Sequence, residues 1–462
     1  MSDIQARRDI LRRIILSKIV AGFISMIKLL FLIVTFVFQT FSIASAEESN
    51  SFLSNLKDME IKGSLDNESA YRLRSPNRFS KIQNNLEVEI EFDVIDDLEF
   101  FTRNRFAYDA VYDIESAYKG LPFDNYRLTR KFEDIALELY LEHTLEDLTI
   151  TAGKQQVVWG EATGLKITDI VNPTDFREFI LDDFLDSRIG LWMLKINYSF
   201  GDSELEGVFI PDFEPNKPAV KGSEWKLPPS SSNEGFDVET KNTKRPANGL
   251  ENSDLGFRLS TILNSWDISG YYFYSWNDNP ALHTFTTGNV KEVFPEHHRV
   301  HTTGGTFNYA FGKTVLTGEM GLNFDKYFET DDPDDRDSVA KRNDIIYMLG
   351  GEYIVNNFTT ASMQLIQQII LGETRFLTDD AIDTTITLLI QMDFLNETLK
   401  PDLLVMYGAN NGDWLFRPKV VYDWNDNLKL TMAFDIFAGQ HNGLFGQFDK
   451  NDRVVAEIKR SF

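Results

Sequence analysis

The chain has 462 residues and a formal net charge of −25, with 46 Lys and Arg against 71 Asp and Glu. That balance excludes the basic footprint nucleic-acid binding requires, and it suits a surface that meets divalent cations. There is no cysteine, so disulfides, a thiol nucleophile and Cys-ligated metals are excluded. A secreted chain of this length needs no such staples to bury a core.

At the amino terminus, Arg7, Arg8, Arg12, Arg13, Lys18 and Lys28 precede the apolar run Leu29–Phe38, and Ala44-Ser45-Ala46 follows. A basic region, a short apolar run and an Ala-x-Ala site predict a secretory signal peptide over 1–46, leaving 47–462 as the mature protein. Beyond it no stretch approaches the ~20 apolar residues of a transmembrane helix. A membrane location then requires a β-barrel, because only helices and closed barrels satisfy their backbone hydrogen bonds in lipid.

A first, weak strand is expected over 56–72. Next, Leu86, Val88, Ile90, Phe92 and Val94 alternate strictly with Glu87, Glu89, Glu91 and Asp93. Period two is a strand signature that an amphipathic helix does not produce. The following strand projects Leu98, Phe100, Phe106 and Tyr108 to one side, Arg103 and Arg105 to the other. The pattern repeats at 135–142, 148–152 and 192–200, then around residues 208, 259, 272, 304, 320, 349, 364, 390, 405, 420 and 434. Short links (95–97, 144–147, 200–203, 264–266, 311–313, 355–358, 396–400, 425–427) alternate with longer ones (73–82, 112–132, 159–187, 213–252, 277–296, 329–342, 372–383, 440–451). Only 411–413 breaks that rule. Such an alternation is the layout of an outer-membrane barrel with short periplasmic turns and long outer loops. The expected fold is therefore all-β, a transmembrane antiparallel up-and-down barrel of about 18 strands, with 16 as the alternative count. Phe200, Trp266, Phe311 and Trp424 fall at the short-turn ends and Trp276 and Trp414 at the other, where interface girdles belong.

The terminal segment presents Val454, Ala456, Ile458 and Phe462 on one face, Glu457, Lys459 and Ser461 on the other. It resembles the closing strand of bacterial outer-membrane barrels, in which the final aromatic, here Phe462, belongs to the assembly signal; Arg460 departs from that pattern. The implied partners are outer-membrane lipid, lipopolysaccharide and the barrel-assembly machinery.

One stretch carries a more specific signature. Gly153-Lys154-Gln155-x-x-x-Trp159-Gly160-Glu161 is followed by Asp169-x-x-Asn172-Pro173-x-Asp175. It resembles a family of Gram-negative outer-membrane proteins known only as a domain of unknown function, marked by G-[RK]-Q-x-x-x-W-G-E and then D-x-x-N-P-x-D. Phe437-x-Gly439 and Gly446-x-Phe448 also fit. The resemblance implies a barrel that moves hydrophobic or amphipathic small molecules across the outer membrane. It brings no catalytic residues. A general or charge-tuned diffusion porin is the alternative, and a structural or adhesive barrel or a hydrolase fits less well.

From the residues alone, Trp159 is expected near the membrane interface, with Gly160 allowing a tight bend. Asp175 and Glu178 have the capping-box spacing. Phe176, Phe179, Ile180 and Phe184 then give an amphipathic helix in the 161–187 loop, expected inside the lumen as a constriction or plug, with the barrel mouth as the alternative. Inside, Glu161, Asp169, Asp175, Arg177, Glu178 and Arg188 would narrow the pore and meet Arg103 and Arg105. Opposed charges select solutes by field as well as by size. The same residues also suit salt bridges that merely tie the loop down.

Three other features point to little. His297 and His301 on one strand face lie about 13 Å apart, too far for one ion, so no metal site is expected there. The Asp331–Asp337 loop lacks the Gly and terminal Glu of a calcium hand. The 213–252 loop, with Pro228-Pro-Ser-Ser-Ser-Asn, reads as a long, mobile extracellular loop. No Gly-x-Ser-x-Gly surrounds any serine and no motif calls for a cofactor, so an enzyme is not expected.

Overall fold

The computed structural model describes residues 59–121, 123–226, 235–247 and 249–462. The expected leader, residues 47–58 and the Pro228–Asn233 run lie outside these. The compact unit formed by Glu60–Glu91 with Asp97–Phe462 carries every loop and site discussed below.

Eighteen strands form one closed antiparallel barrel. They are β1 (Glu60–Arg72), β2 (Phe79–Ile95), β3 (Leu98–Asp109), β4 (Ala136–Leu145), β5 (Leu148–Gln155), β6 (Leu191–Phe200), β7 (Ser203–Ile210), β8 (Asp254–Leu263) and β9 (Trp266–Trp276). The second half is β10 (Arg299–Phe311), β11 (Thr314–Glu329), β12 (Val339–Asn356), β13 (Thr359–Leu371), β14 (Ile382–Met392), β15 (Leu399–Gly408), β16 (Asp413–Asn425), β17 (Leu428–Ala438) and β18 (Arg453–Ser461). Each pairs with its sequence neighbours, and β18 closes on β1 from Ser64↔Ser461 to Arg72↔Arg453. Period-two patterning causes this arrangement. On β18 the outward Ala456 and Ile458 are exposed, while Arg453 and Val455 on the inward phase are buried. Outward positions elsewhere carry large exposed apolar side chains, Met320, Met363 and Met432 among them, which only an apolar surrounding rewards.

Short links collect at one end. Asn264 and Ser265 have φ of 49° and 71°, the type I′ geometry whose twist matches the strands it joins. Aromatics gather at that end as expected: Trp266 stacks on Tyr309 at 4.4 Å, and Phe200, Phe311 and Trp424 each lie beside a tyrosine. Trp414 packs on Tyr407 at the other end. Trp276 is instead capped by the Arg299 guanidinium at 4.5 Å and donates to the Asn252 carbonyl. Phe462 exchanges two backbone hydrogen bonds with Gly63 (2.9 and 3.0 Å), extending the β18–β1 seam.

The helix expected from Asp175 does not form. Asp175 accepts from the Arg177 N–H (3.0 Å) and grips the Arg177 guanidinium, which caps a turn two residues on rather than a helix three residues on. Asp175–Phe176 pairs in parallel with Lys217–Pro218, and Phe179 takes φ of 59°. A single helical turn, Phe184–Ser187, remains.

Candidate functional site

The link between β5 and β6 runs into the barrel instead of over it. Its root is built by the signature residues. Gly153 has φ of 143°, and a Cβ there would strike the Leu139 carbonyl of β4. Lys154, buried, donates to the Glu133 and Ala136 carbonyls (2.5 and 2.6 Å), which fixes the entry to β4. Gln155 Nε2 donates to the Thr151 carbonyl at 3.3 Å. Asn172 joins three separate backbone points: Oδ1 accepts from Val157 N–H (2.7 Å), and Nδ2 donates to the carbonyls of Gln155 (3.2 Å) and Ile189 (2.8 Å). The Pro173 carbonyl accepts from Ile189 N–H. Asp169 and Arg188 form a buried ion pair at 2.5 Å.

Trp159 is 1% exposed. It is not at the membrane interface. The chain has already left the wall at Gln155, so the indole packs inside among Val208, Tyr271 and Phe273 and donates to Glu206 Oε1 at 2.5 Å. Gly160 is needed for closeness: a Cβ there would lie 2.8 Å from the Asp169 nitrogen.

Beyond the root the segment reaches strand after strand across the interior. Glu161 N–H and the Thr168 hydroxyl both donate to Glu319 of β11. Thr163 N–H donates to Gln364 of β13 (2.9 Å), and Ile167 packs on Met348 and Ile366. Phe179 and Leu181 join Met406, Leu415, Phe437 and Phe448, so the Phe437 and Phe448 of the carboxyl-terminal motifs face the loop directly. Arg417 donates to the Leu181 carbonyl (2.8 Å). Arg453 bridges Glu178 (2.8 Å) and Asp435 (2.7 Å). Arg105 meets Asp186, and Lys81 lies 3.0 Å from Glu68 and 3.6 Å from Asp182.

The expected charge set is thus divided. Arg105 and Glu178 make ion pairs across the interior. Asp169–Arg188 and Asp175–Arg177 are pairs within the segment. Arg103 does not meet the loop; its carboxylate neighbour is Glu138 of β4 at 3.6 Å. Glu161 contributes its backbone, and its side chain is exposed. Sequence reasoning missed Arg453, Asp435, Arg417, Glu319 and Asp186. No local signal singles out the first four: the inward phases of their strands carry other polar residues, such as Glu457 and Lys459 beside Arg453 and Lys419 beside Arg417.

The beginning of the 213–252 loop is also drawn in, against the expectation of a mobile outer loop. Asn216 Oδ1 accepts from Thr174 N–H (2.6 Å), and Trp225 is buried against Phe437 and Phe448. Glu224 holds Arg72 (2.9 Å), Arg78 (2.6 Å) and the Tyr118 hydroxyl (2.6 Å).

Two cavities flank residues 174–188. The first, about 200 Å³, is polar and lined by charged side chains of β1–β3 and β18 together with Asp175, Arg177, Glu178 and Asp186. The second, about 440 Å³, lies toward the long-loop end and is mostly apolar: Leu165, Phe176, Phe179, Ile180, Phe184 and Trp225 line it with Lys166 and Lys226. Asp182 borders both. Burial pushes the Lys166 ammonium down to about 8, with Asp169 opposing and Arg188 reinforcing the shift. Its Nζ reaches the Thr174 hydroxyl at 3.3 Å and faces the Phe184 ring at 5.6 Å.

Residues 72–376, holding the signature and the whole inward segment, match the family described as "Protein of unknown function (DUF1302)". The chain belongs to this family. In this DUF1302 protein the signature residues are the footings of the inward segment. No curated protein sequence matches the chain significantly. Among solved structures it is similar to OccK8 (OprE) of Pseudomonas aeruginosa, with TM-score 0.50, 9% identity, and 88% and 98% of the two chains covered. It is equally similar to OccAB1 of Acinetobacter baumannii, with TM-score 0.50, 10% identity, and 88% and 96% covered. At such identities the likeness is one of fold: the DUF1302 barrel is porin-like.

Proposed function

We propose that the protein is an outer-membrane channel restricted to small amphipathic molecules, with an apolar body and an acidic group. The apolar cavity beside Lys166 carries this reading. It sits at the long-loop end, where a solute enters, and only residues 174–188 separate it from the charged cavity deeper in the barrel. A half-desolvated lysine on an apolar wall favours an anion that restores its charge. The closed barrel with an apolar exterior supports an outer-membrane location. A general diffusion porin fits less well, because the inward segment is tied to the wall on several sides.

Ion current through the protein in a planar bilayer tests the reading. A medium-chain carboxylate is expected to block the current, and its methyl ester to do so far more weakly. The block should weaken as pH rises through about 8, because Lys166 loses its proton there. Lys166→Gln should remove that pH dependence. Equal block by acid and ester, or a pH dependence that survives Lys166→Gln, would contradict the reading.

A further inference from the structure

A second cluster stands apart from the interior, at the long-loop end. The strand Ala281–Thr287 pairs antiparallel with Val290–Glu296, with His283 opposite Phe294 and Ala281 opposite Glu296. That register makes His283 and Glu296 diagonal neighbours on one face of the hairpin. His298 follows two residues after Glu296, as the chain enters β10, and its ring returns to His283: the two Nε2 atoms are 2.8 Å apart. The ligand-capable atoms of His283, Glu296 and His298 all lie within 4.8 Å of one another.

The surroundings fix how these rings point. Asp337, on the loop between β11 and β12, lies 2.7 Å from His283 Nδ1. An aspartate can only accept there, so Nδ1 carries the proton and the Nε2 lone pair faces the cluster. A carboxylate behind a ligating histidine sets tautomer and orientation in metal sites. Tyr327 stacks on the His298 ring with centroids 4.1 Å apart and holds it in place. As they stand, His298 Nε2–H donates to His283 Nε2, and a cation at that point replaces the shared proton. Lys244 now bonds Glu296, but its side chain is largely exposed and free to leave toward solvent.

We propose that His283, His298 and Glu296 bind a first-row divalent cation of the Zn²⁺ type and clasp the 281–296 hairpin to the barrel rim. Two imidazoles and one carboxylate are a borderline-soft donor set, unlike the all-oxygen sets of Ca²⁺ and Mg²⁺. Three protein ligands leave a fourth position for water. The hairpin already touches the rim through Thr284 N–H to the Asp337 carbonyl (2.7 Å), so the ion would lock an existing contact.

Titration of the untagged full-length protein in detergent with Zn²⁺, and with Co²⁺ as a spectroscopic probe, tests this. One site is expected, giving a tetrahedral Co²⁺ spectrum. His283→Ala and His298→Ala should each abolish it. Asp337→Asn, which keeps all three ligands, should weaken it by roughly 10- to 100-fold. His441→Ala, a histidine outside the cluster, should leave it unchanged. Retained heat-modifiable migration confirms that each variant is folded. Absence of Zn²⁺ binding by the wild type would overturn the proposal. So would binding that survives His298→Ala, which would place the ion on the acidic 331–337 loop instead.

Discussion

The two halves of the inward segment are held by different forces. Its root, residues 156–173 with 188–190, is fixed by side chains bonded to backbone groups and by Trp159 in an apolar cluster. These ties are buried, the Asp169–Arg188 ion pair included, so salt screens them little. The outer part, residues 174–187, packs Phe179 and Leu181 against the wall and is bonded through its backbone to Asn216 and Arg417, but its side-chain ties to the wall strands are ion pairs: Glu178–Arg453, Asp186–Arg105 and Asp182–Lys81. Arg105 and Asp186 are partly open to solvent, where ion pairs contribute little and are screened. Salt therefore reaches the Arg105–Asp186 tie of the outer part more readily than the buried ties of the root.

The strongest way to break this contrast is at the root. Trp159→Ala removes a buried indole and should cost about 3–5 kcal/mol, read as a large fall in the temperature at which heat-modifiable migration is lost. An equal fall for a change in the outer part would erase the distinction. Arg453→Ala comes next. It leaves Asp435, 1% exposed, with Arg417 alone and frees Glu178. Breaking a buried pair in this way costs about 3 kcal/mol, and here it should also raise conductance, because the outer part loses its anchor on β18. The smallest effect should follow Arg105→Gln. Stability should hardly change, since Asp186 is already part-exposed. Yet the rise in channel opening expected between 0.1 and 1 M salt, as the Debye length falls from about 10 to about 3 Å, should be smaller than in the wild type.

The wall was legible in the sequence because period two and loop-length alternation are local signals. Eighteen strands follow from runs such as Leu86–Val94 and from turns such as Asn264-Ser265. The destination of the inward segment was not local. Its partners Glu319, Gln364, Arg417 and Arg453 lie more than 150 residues away, and each reads like any other lumen residue. The Asp175–Glu178 spacing misled because Asp175 spends its carboxylate on Arg177, and because Asp175–Phe176 pairs as a strand with Lys217–Pro218 while Phe179 takes a positive φ. Trp159 misled for a related reason: an aromatic near a strand end reads as a girdle residue until the chain's turn inward is known. The His283–His298 pair was hidden by hairpin register, which places His298 beside a residue fifteen positions earlier rather than beside His301.

The most direct test of the account is single-channel conductance in planar bilayers, wild type against a deletion of residues 174–184. A small wild-type conductance that rises sharply on deletion, with the root still folded, is expected. A large, steady conductance that the deletion leaves unchanged would contradict it.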